Sequence, residues 1–424
     1  MKLTRGNSSS RASAYALIAA AVAAAYANAL AASFQFDDWN VIVNQAKVHG
    51  LGAWWTSMPG IRPLLKLSYA LNWAVSPSPV GFHLVNVAIH VTNACLVYAL
   101  LTKRSTKPIA LITALIFALH PVQTEAVTYV CGRSVSLSAL FALACLATTR
   151  WASAVFFACG LLVKETVAVV ALLKRGLSPF LVLGVALVAA LASPWYLHLF
   201  GTSVATRPLH VQLMTQAHGV VYLIGQLVRI DRMNADPRLP VLTSWSWPLV
   251  SNVVLIVSLL AVGVVMLRKN KPVGLAILWF FLWLAPTNSV LPRLDVANDR
   301  QLYLAMLGPA FLVAYGLSEL AKRRGGVFPW GVTIVLLVTL ATSTHLRNRV
   351  YKDEVTFWDD TALKSPHNAR AFNNLGYALA VEDRTEEADA AFVRAIELDP
   401  SYVKAKVNLR LLREGRALGP ESGR

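Results

Sequence analysis

The sequence predicts an all-α polytopic membrane bundle of about 11 spans, followed by a short C-terminal module of repeat-type helices. Three observations predict it. Only 14% of the residues are charged and 56% are hydrophobic, where a soluble domain carries about 25% charged residues. Apolar runs of spanning length recur up to residue 344, separated by basic clusters that contain no Asp or Glu. From Ala369 the pattern changes to charged, amphipathic helix. The chain therefore divides into a membrane domain, 1–346, and a module, 347–424.

A formal charge of +17 first suggests nucleic acid. The positive residues sit between apolar runs rather than along one face, so membrane topology accounts for them and no nucleic-acid partner is expected. The four cysteines, Cys95, Cys131, Cys145 and Cys159, form no metal-type CxxC pair, and three of them lie inside apolar runs.

The first run, 12–32, follows Lys2, Arg5 and Arg11. It is longer than the 7–15 residues, roughly, of a signal-peptide core, so it reads as an uncleaved first span. Further runs occupy 84–101, 108–120, 133–149, 178–200, 248–267, 272–290, 303–320 and 327–344. The basic clusters are Lys103-Arg104 with Lys107, then Arg150, Lys174-Arg175, Arg268-Lys269 with Lys271, and Lys322-Arg323-Arg324. They belong in the cytoplasm with the N-terminus. A single span over 151–173 would put Lys174-Arg175 outside and Lys164-Glu165 at mid-membrane. Two half-length helices meeting at Lys164-Glu165 avoid both faults. The apolar piece 211–229 then has two external flanks and lies in the interface. The expected location is the inner membrane, with the module periplasmic.

Eight carboxylates precede Glu319: Asp37, Asp38, Glu125, Glu165, Asp231, Asp236, Asp295 and Asp299. Seven fall in external loops and Glu165 in the broken span, so any acid–base chemistry is drawn from these eight.

In the module, Phe372, Leu375, Gly376, Leu379, Ala388, Phe392, Ala395 and Pro400 have the spacing of one 34-residue tetratricopeptide repeat, 369–402. Trp358 and Pro366 stand 34 residues before Phe392 and Pro400, as a preceding half-repeat, and 403–414 reads as a capping helix. One and a half repeats bury little core alone, so the module is expected to pack on the membrane domain, with a possible peptide contact through its groove.

Four external stretches hold polar residues beyond the needs of a loop. These are Phe36-Asp37-Asp38-Trp39; Ile61-Arg62-Pro63-Leu64 with its continuation to His83, Asn86 and His90; His120-Pro121-Val122-Gln123-Thr124-Glu125 running to Arg133; and Asn298-Asp299-Arg300-Gln301-Leu302-Tyr303. Together with Lys164-Glu165-Thr166 and the repeat, they resemble the transmembrane and tetratricopeptide-repeat-containing protein O-mannosyltransferases and their bacterial relatives. The resemblance covers the chain in order, with a much shorter repeat array. It implies a C-type glycosyltransferase fold and transfer of a mannose-like sugar, with inversion, from a polyprenyl phosphate to an acceptor hydroxyl, Ser or Thr of a protein first. The donor is a substrate; no cofactor is implied and no metal is required.

By the same resemblance the acid of the first external loop, Asp37, acts as general base, with Asp38 second. Such transfer needs one carboxylate for the acceptor proton and cations for the leaving phosphate. Arg62 is the first candidate for the phosphate, because guanidinium binds phosphate oxygens bidentately. Arg300, with Asp299 before it, is the second; Lys164 reaches the same site through the broken span, and Glu165 is expected to pair with Lys164 or with His120. His120, Glu125, Arg133 and Tyr303 complete the substrate-binding candidates. Two other readings stay open, an acceptor that is lipid or polysaccharide and a non-catalytic scaffold whose repeats recruit envelope proteins. An enzyme requires Asp37, Arg62, Glu125 and Arg300 to surround one cavity, and a scaffold does not.

Overall fold

The computed structural model describes residues 6–57, 61–174, 177–325 and 327–418. Lys2, Arg5 and Arg175 of the basic clusters lie outside them. No strand occurs among the described residues. The longer helices are α1 (Gly6–Tyr26), α2 (Pro63–Val75), α3 (Pro79–Leu101), α4 (Lys107–Leu119), α5 (Arg133–Ala147) and α6 (Arg150–Val163). Next come α7 (Leu177–Leu191), α8 (Pro194–Thr206), α9 (Leu209–Gln226), α10 (Trp247–Lys269), α11 (Lys271–Leu284), α12 (Leu307–Arg324) and α13 (Val327–Asn348). The module has α14 (Glu354–Lys364), α15 (Ala369–Val381), α16 (Thr385–Leu398) and α17 (Val403–Arg413).

The protein is a multi-pass membrane protein. Five helical stretches are long and apolar enough to cross a membrane, at 11–31, 79–101, 130–147, 247–269 and 327–351. Three bent pairs bring the number to eight, while α6 and α11, at 14 residues each, are apolar but shorter. Several of the expected runs bend rather than cross straight. The run 178–200 is the clearest case. Ser193-Pro194 interrupts it and the chain turns by 84°, because proline has no N–H for the preceding turn. Ser203 of α8 then donates to the carbonyl of Pro292 at 2.5 Å, and Gln212 of α9 donates to those of Ser289 and Leu291 at 3.0 and 3.2 Å. Both helices therefore run beside the 285–298 loop.

The break near Lys164 is present. Lys164 leaves the helix with φ −160°, and a 3-10 turn, Glu165–Val169, precedes the short helix Val170–Leu173. Lys174 then donates to the carbonyl of Cys145 at 3.0 Å and to that of Thr148. The chain has returned to the end where α6 began, as two half-helices require. Followed end to end, the helices place Asp37, 120–133, 164–165, 285–303 and 348–351 on one face, here called upper. The clusters at 103–107, 150, 174, 268–271 and 322–324 lie on the opposite, lower face.

Arg133 binds the upper ends of three helices. It is fully buried at the start of α5 and donates to Asn86 Oδ1 (2.6 Å), Asn72 Oδ1 (2.8 Å), the Phe82 carbonyl (3.0 Å) and the Ser68 carbonyl (3.1 Å). Its guanidinium lies 5.0 Å from the Tyr69 ring centre and 5.3 Å from that of Phe82. Neutral acceptors and aromatic faces hold the cation. Arg133, a substrate-binding candidate in the sequence, has its donors committed to protein oxygens on α2 and α3, where it joins helices.

The module continues directly from α13 through the turn Arg349–Tyr351. At Gly376 the helices α15 and α16 come so close that a Cβ would stand 2.8 Å from the Phe392 ring and 3.1 Å from the Ala388 carbonyl. Phe357 and Trp358 of α14 form one apolar cluster with Ala32, Tyr129 and Tyr351, so module and membrane domain share a core.

Arg133→Leu should destabilise the detergent-solubilised protein by more than about 2 kcal/mol, since several buried acceptors lose their donor at about 1–3 kcal/mol each. Thermal unfolding by tryptophan fluorescence, with no drop in midpoint, would contradict the joining role.

Candidate active site

The first upper loop separates its two carboxylates. Phe36 adopts φ +44°, which reverses the chain after α1. Asp38 is fully buried. Its Oδ2 accepts the N–H of Gln35 at 2.9 Å and its Oδ1 that of Cys131 at 2.7 Å, so it ties this loop to 129–132. Burial outweighs those two donors and pushes its carboxyl up to about 7. Asp37 is half-buried. Its backbone N–H donates to Tyr129 Oη at 3.1 Å, and among the described residues no hydrogen bond or ion pair engages its carboxylate.

The third and fourth stretches meet at one contact. Glu125 is buried and its Oε2 accepts the backbone N–H of Arg300 at 2.9 Å, with Arg300 Nε 3.6 Å from Oε1. The Arg300 guanidinium lies 5.9 Å from the Tyr129 ring centre. Gly132 makes the approach possible, since a Cβ there would stand 2.2 Å from the Glu125 carbonyl. Gln301 shapes the turn that presents Arg300: its Oε1 accepts the Asn298 N–H at 3.4 Å and its own N–H donates to the Asn298 carbonyl at 3.0 Å.

Other candidates serve the walls. His120 Nδ1 accepts the Val122 N–H at 3.2 Å while Nε2 meets the Leu227 carbonyl at 3.1 Å, which uses both ring nitrogens. Asp299 accepts from Gln226 and from the Asn234 N–H, both at 3.1 Å. Tyr303 Oη meets His90 Nδ1 at 2.7 Å and Asn93 Nδ2 at 2.9 Å, inside the helix bundle.

Four cations share the remaining space. Arg62, at φ +57° before α2, meets Glu165 with Nε–Oε1 3.3 Å and Nη2–Oε2 3.0 Å. Lys164 lies within electrostatic reach of Arg62, Arg293 and Arg300. Burial, together with the like charges of Arg300 and Arg62, pulls Arg293 down to about 10. Among the described residues neither Lys164 nor Arg293 has a side-chain ion pair.

Two clefts adjoin, and Arg300 lines both. One, of about 370 Å³, lies between the module and the upper loops and is lined by Phe36, Glu125, Tyr129, Asp236, Trp358 and Arg370 among others. The second, of about 400 Å³, has Lys164 and Gln301 with the α11 side chain Trp283 and with Leu304. Arg370 of α15 closes the first by bonding Asp236 (Nε–Oδ2 2.8 Å) and Asp295 (Nη2–Oδ1 2.9 Å). Although burial raises its carboxyl, Arg370 holds Asp295 below the usual carboxylate range.

The structure thus gathers Glu125 and Arg300 at one cleft, Lys164 and Arg300 at the other, Arg62–Glu165 within electrostatic reach of Lys164, and Asp37 within the field of Arg300. Sequence reasoning missed Arg293, Tyr129 and the Arg370 link. Arg293 and Asp295 stand in the same polar loop as Asp299, and that loop's charge density was the available signal. Among the described residues no group of three or more His, Cys, Asp or Glu is placed to hold a metal ion.

The chain is similar over most of its length to curated proteins. Protein O-mannosyl-transferase TMTC3 of Mus musculus is 26% identical over 93% of this chain and 52% of its own length. Protein O-mannosyl-transferase Tmtc3 of Drosophila melanogaster is 25% identical over 82% of this chain and 49% of its own. Over a shorter stretch, 33% of this chain, Protein O-mannosyl-transferase TMTC1 of Mus musculus is 37% identical. The chain spans about half the length of the first two relatives. No family model matches, and no solved structure matches. These relatives support the family assignment made from the motifs.

Asp38 gives a pH test. Its folded value, about 7, lies above the roughly 3.9 of an unfolded chain, so between those values the folded state holds more protons. Stability from this group is therefore greatest at low pH and falls as pH rises toward 7. Asp38→Asn should flatten that part of the melting-temperature profile, and an unchanged slope would show that other groups produce it.

Proposed function

We propose that this chain, a relative of the protein O-mannosyl-transferases, is an integral-membrane glycosyltransferase. It moves a mannose-like sugar from a polyprenyl phosphate to a Ser or Thr hydroxyl of a polypeptide, with inversion, on the external face of an inner membrane. The upper face is then periplasmic, and the module, read as a tetratricopeptide repeat, lies outside the cell membrane with it. The fold is read as C-type glycosyltransferase-like.

One observation supports this most strongly. Of the eight carboxylates before Glu319, seven have partners: Asp38 backbone N–H groups, Glu125 Arg300, Glu165 Arg62, Asp231 Arg232, Asp236 and Asp295 Arg370, and Asp299 Gln226 with Asn234. Of these eight, Asp37 alone has a carboxylate that no described residue engages by hydrogen bond or ion pair, and it lies within the field of Arg300. A base needs free lone pairs and a nearby site for charge separation.

In this reading the acceptor oxygen attacks the anomeric carbon from the side of Asp37, which takes its proton. The bond from that carbon to the phosphate oxygen breaks, and the electron pair leaves with the polyprenyl phosphate. Lys164, Arg293 and Arg300 meet the charge that builds there. Arg62 joins them by exchanging Glu165 for phosphate, a swap between bidentate partners. The donor tail stays in the bilayer, so its phosphate arrives through the second cleft, beside Trp283 and Leu304.

Purified protein incubated with a panel of polyprenyl-phosphate sugars and a Ser/Thr peptide mixture should consume one donor and release polyprenyl phosphate. Consumption of none would favour the scaffold, and sugar appearing only on added lipid would favour the other acceptor class. Asp37→Asn should lower transfer about 10²–10⁴-fold, the usual worth of a general base, with insertion intact. Full activity in that variant would remove the mechanism. In a background without the four native cysteines, Thr385→Cys should react with an impermeant thiol reagent on intact cells, and Ser105→Cys should not. The opposite pattern would invert the orientation.

A further inference from the structure

We infer that the cleft between the module and the upper loops is the acceptor-polypeptide site, entered from the aqueous side, so that donor and acceptor reach Arg300 through separate openings. The inference rests on the glycosyltransferase reading and adds where the polypeptide binds and what it must offer.

The two clefts differ in what surrounds them. The second is walled by helices of the membrane bundle and by the unpaired Lys164, which suits a phosphate with a lipid tail. The first has no membrane-spanning wall on its outer side. There it is bounded by the module through Phe357, Trp358 and Arg370, and by the loop carrying Ala235 and Asp236.

Its chemistry also suits a polypeptide. Phe36 and Trp358 meet edge to face at 5.1 Å, and the Arg370 guanidinium lies 5.9 Å from the Phe36 ring centre. This gives an aromatic wall for the side chains beside the reacting hydroxyl. Asp236 and Asp295, fixed by Arg370, line the same space and are acceptors for backbone N–H groups of an extended strand. Asp37 follows Phe36 directly and is bound through its N–H to Tyr129, another wall residue. Arg300 lines the same cleft, and the Asp37 carboxylate lies within its field. The occupant is accordingly an extended segment with Ser or Thr next to apolar or aromatic side chains.

Ala235, half-exposed on the cleft wall, allows the cleft to be filled without removing a bond. For Ala235→Trp, measured with polyprenyl-phosphate mannose and a synthetic Ser/Thr peptide that the wild-type protein glycosylates, the peptide KM should rise at least about ten-fold. The donor Kd should stay within about two-fold of wild type, since its opening is untouched. Should that variant fail to fold, Ala235→Cys in the cysteine-free background can be purified and then blocked with a bulky thiol reagent, with the same result expected. An unchanged peptide KM in a folded, blocked protein overturns the proposal, as does a parallel loss of donor binding. Wild-type protein that consumes no donor would instead overturn the enzymatic reading.

Discussion

A carboxylate buried among helix ends costs several kcal/mol unless something compensates it, and Glu125 is such a carboxylate. Arg300 compensates it twice, through its backbone N–H and its side chain. The contact joins two segments 175 residues apart. It sets the position of the turn 298–301 and brings Arg300 to the wall shared by both clefts. The surrounding details answer to this pair. Gly132 lets the 130–132 turn approach it, His120 closes the turn before it, and Asp299 is directed away to Gln226 and Asn234. Without Glu125 the guanidinium of Arg300 would lose its ion pair and stand near three other cations.

The balance of charge on the upper face follows from that arrangement. Protein partners neutralise Arg62 and Arg370, while among the described residues Lys164 and Arg293 have no ion pair and stand in the field of like charges. Holding like charges together in a half-buried place is unfavourable by itself. It becomes favourable when an anion of higher charge enters, which is the condition a phosphate meets. The same logic separates the neighbouring aspartates. Asp38 is spent on two backbone N–H groups and organises the loop, and Asp37 keeps its oxygens free.

The module is part of the site's wall rather than an appendage. Trp358 and Phe357 share a core with Ala32 and Tyr129, and Arg370 clamps the loop that carries Arg293 through Asp295, two residues away. A shift of the module would therefore move the first cleft and that loop together. Packing of the module on the upper loops therefore serves stability and site assembly at once.

Composition and periodicity by themselves determined the helical membrane class, the change to amphipathic helix after Ala369, and the break at Lys164. Each is set by a free-energy term local to the chain: burial in hydrocarbon, the cost of a charge there, and the rule that basic residues stay on one side. The return of Lys174 to the Cys145 carbonyl is that local argument realised in space. The motif stretches likewise gather on the upper face, around the two clefts. The assignment of roles within it was not legible. Arg62 and Arg133 are the same residue type in similar polar stretches, yet one pairs with Glu165 at a cleft and the other is sealed among Asn72, Asn86 and two aromatic rings. Only the tertiary structure decided this, because a guanidinium's role depends on which acceptors lie within about 3 Å of it, and those acceptors come from helices far apart in the chain. Asp37 and Asp38 differ for the same reason: the Cys131 N–H that binds one and leaves the other free stands 93 residues away.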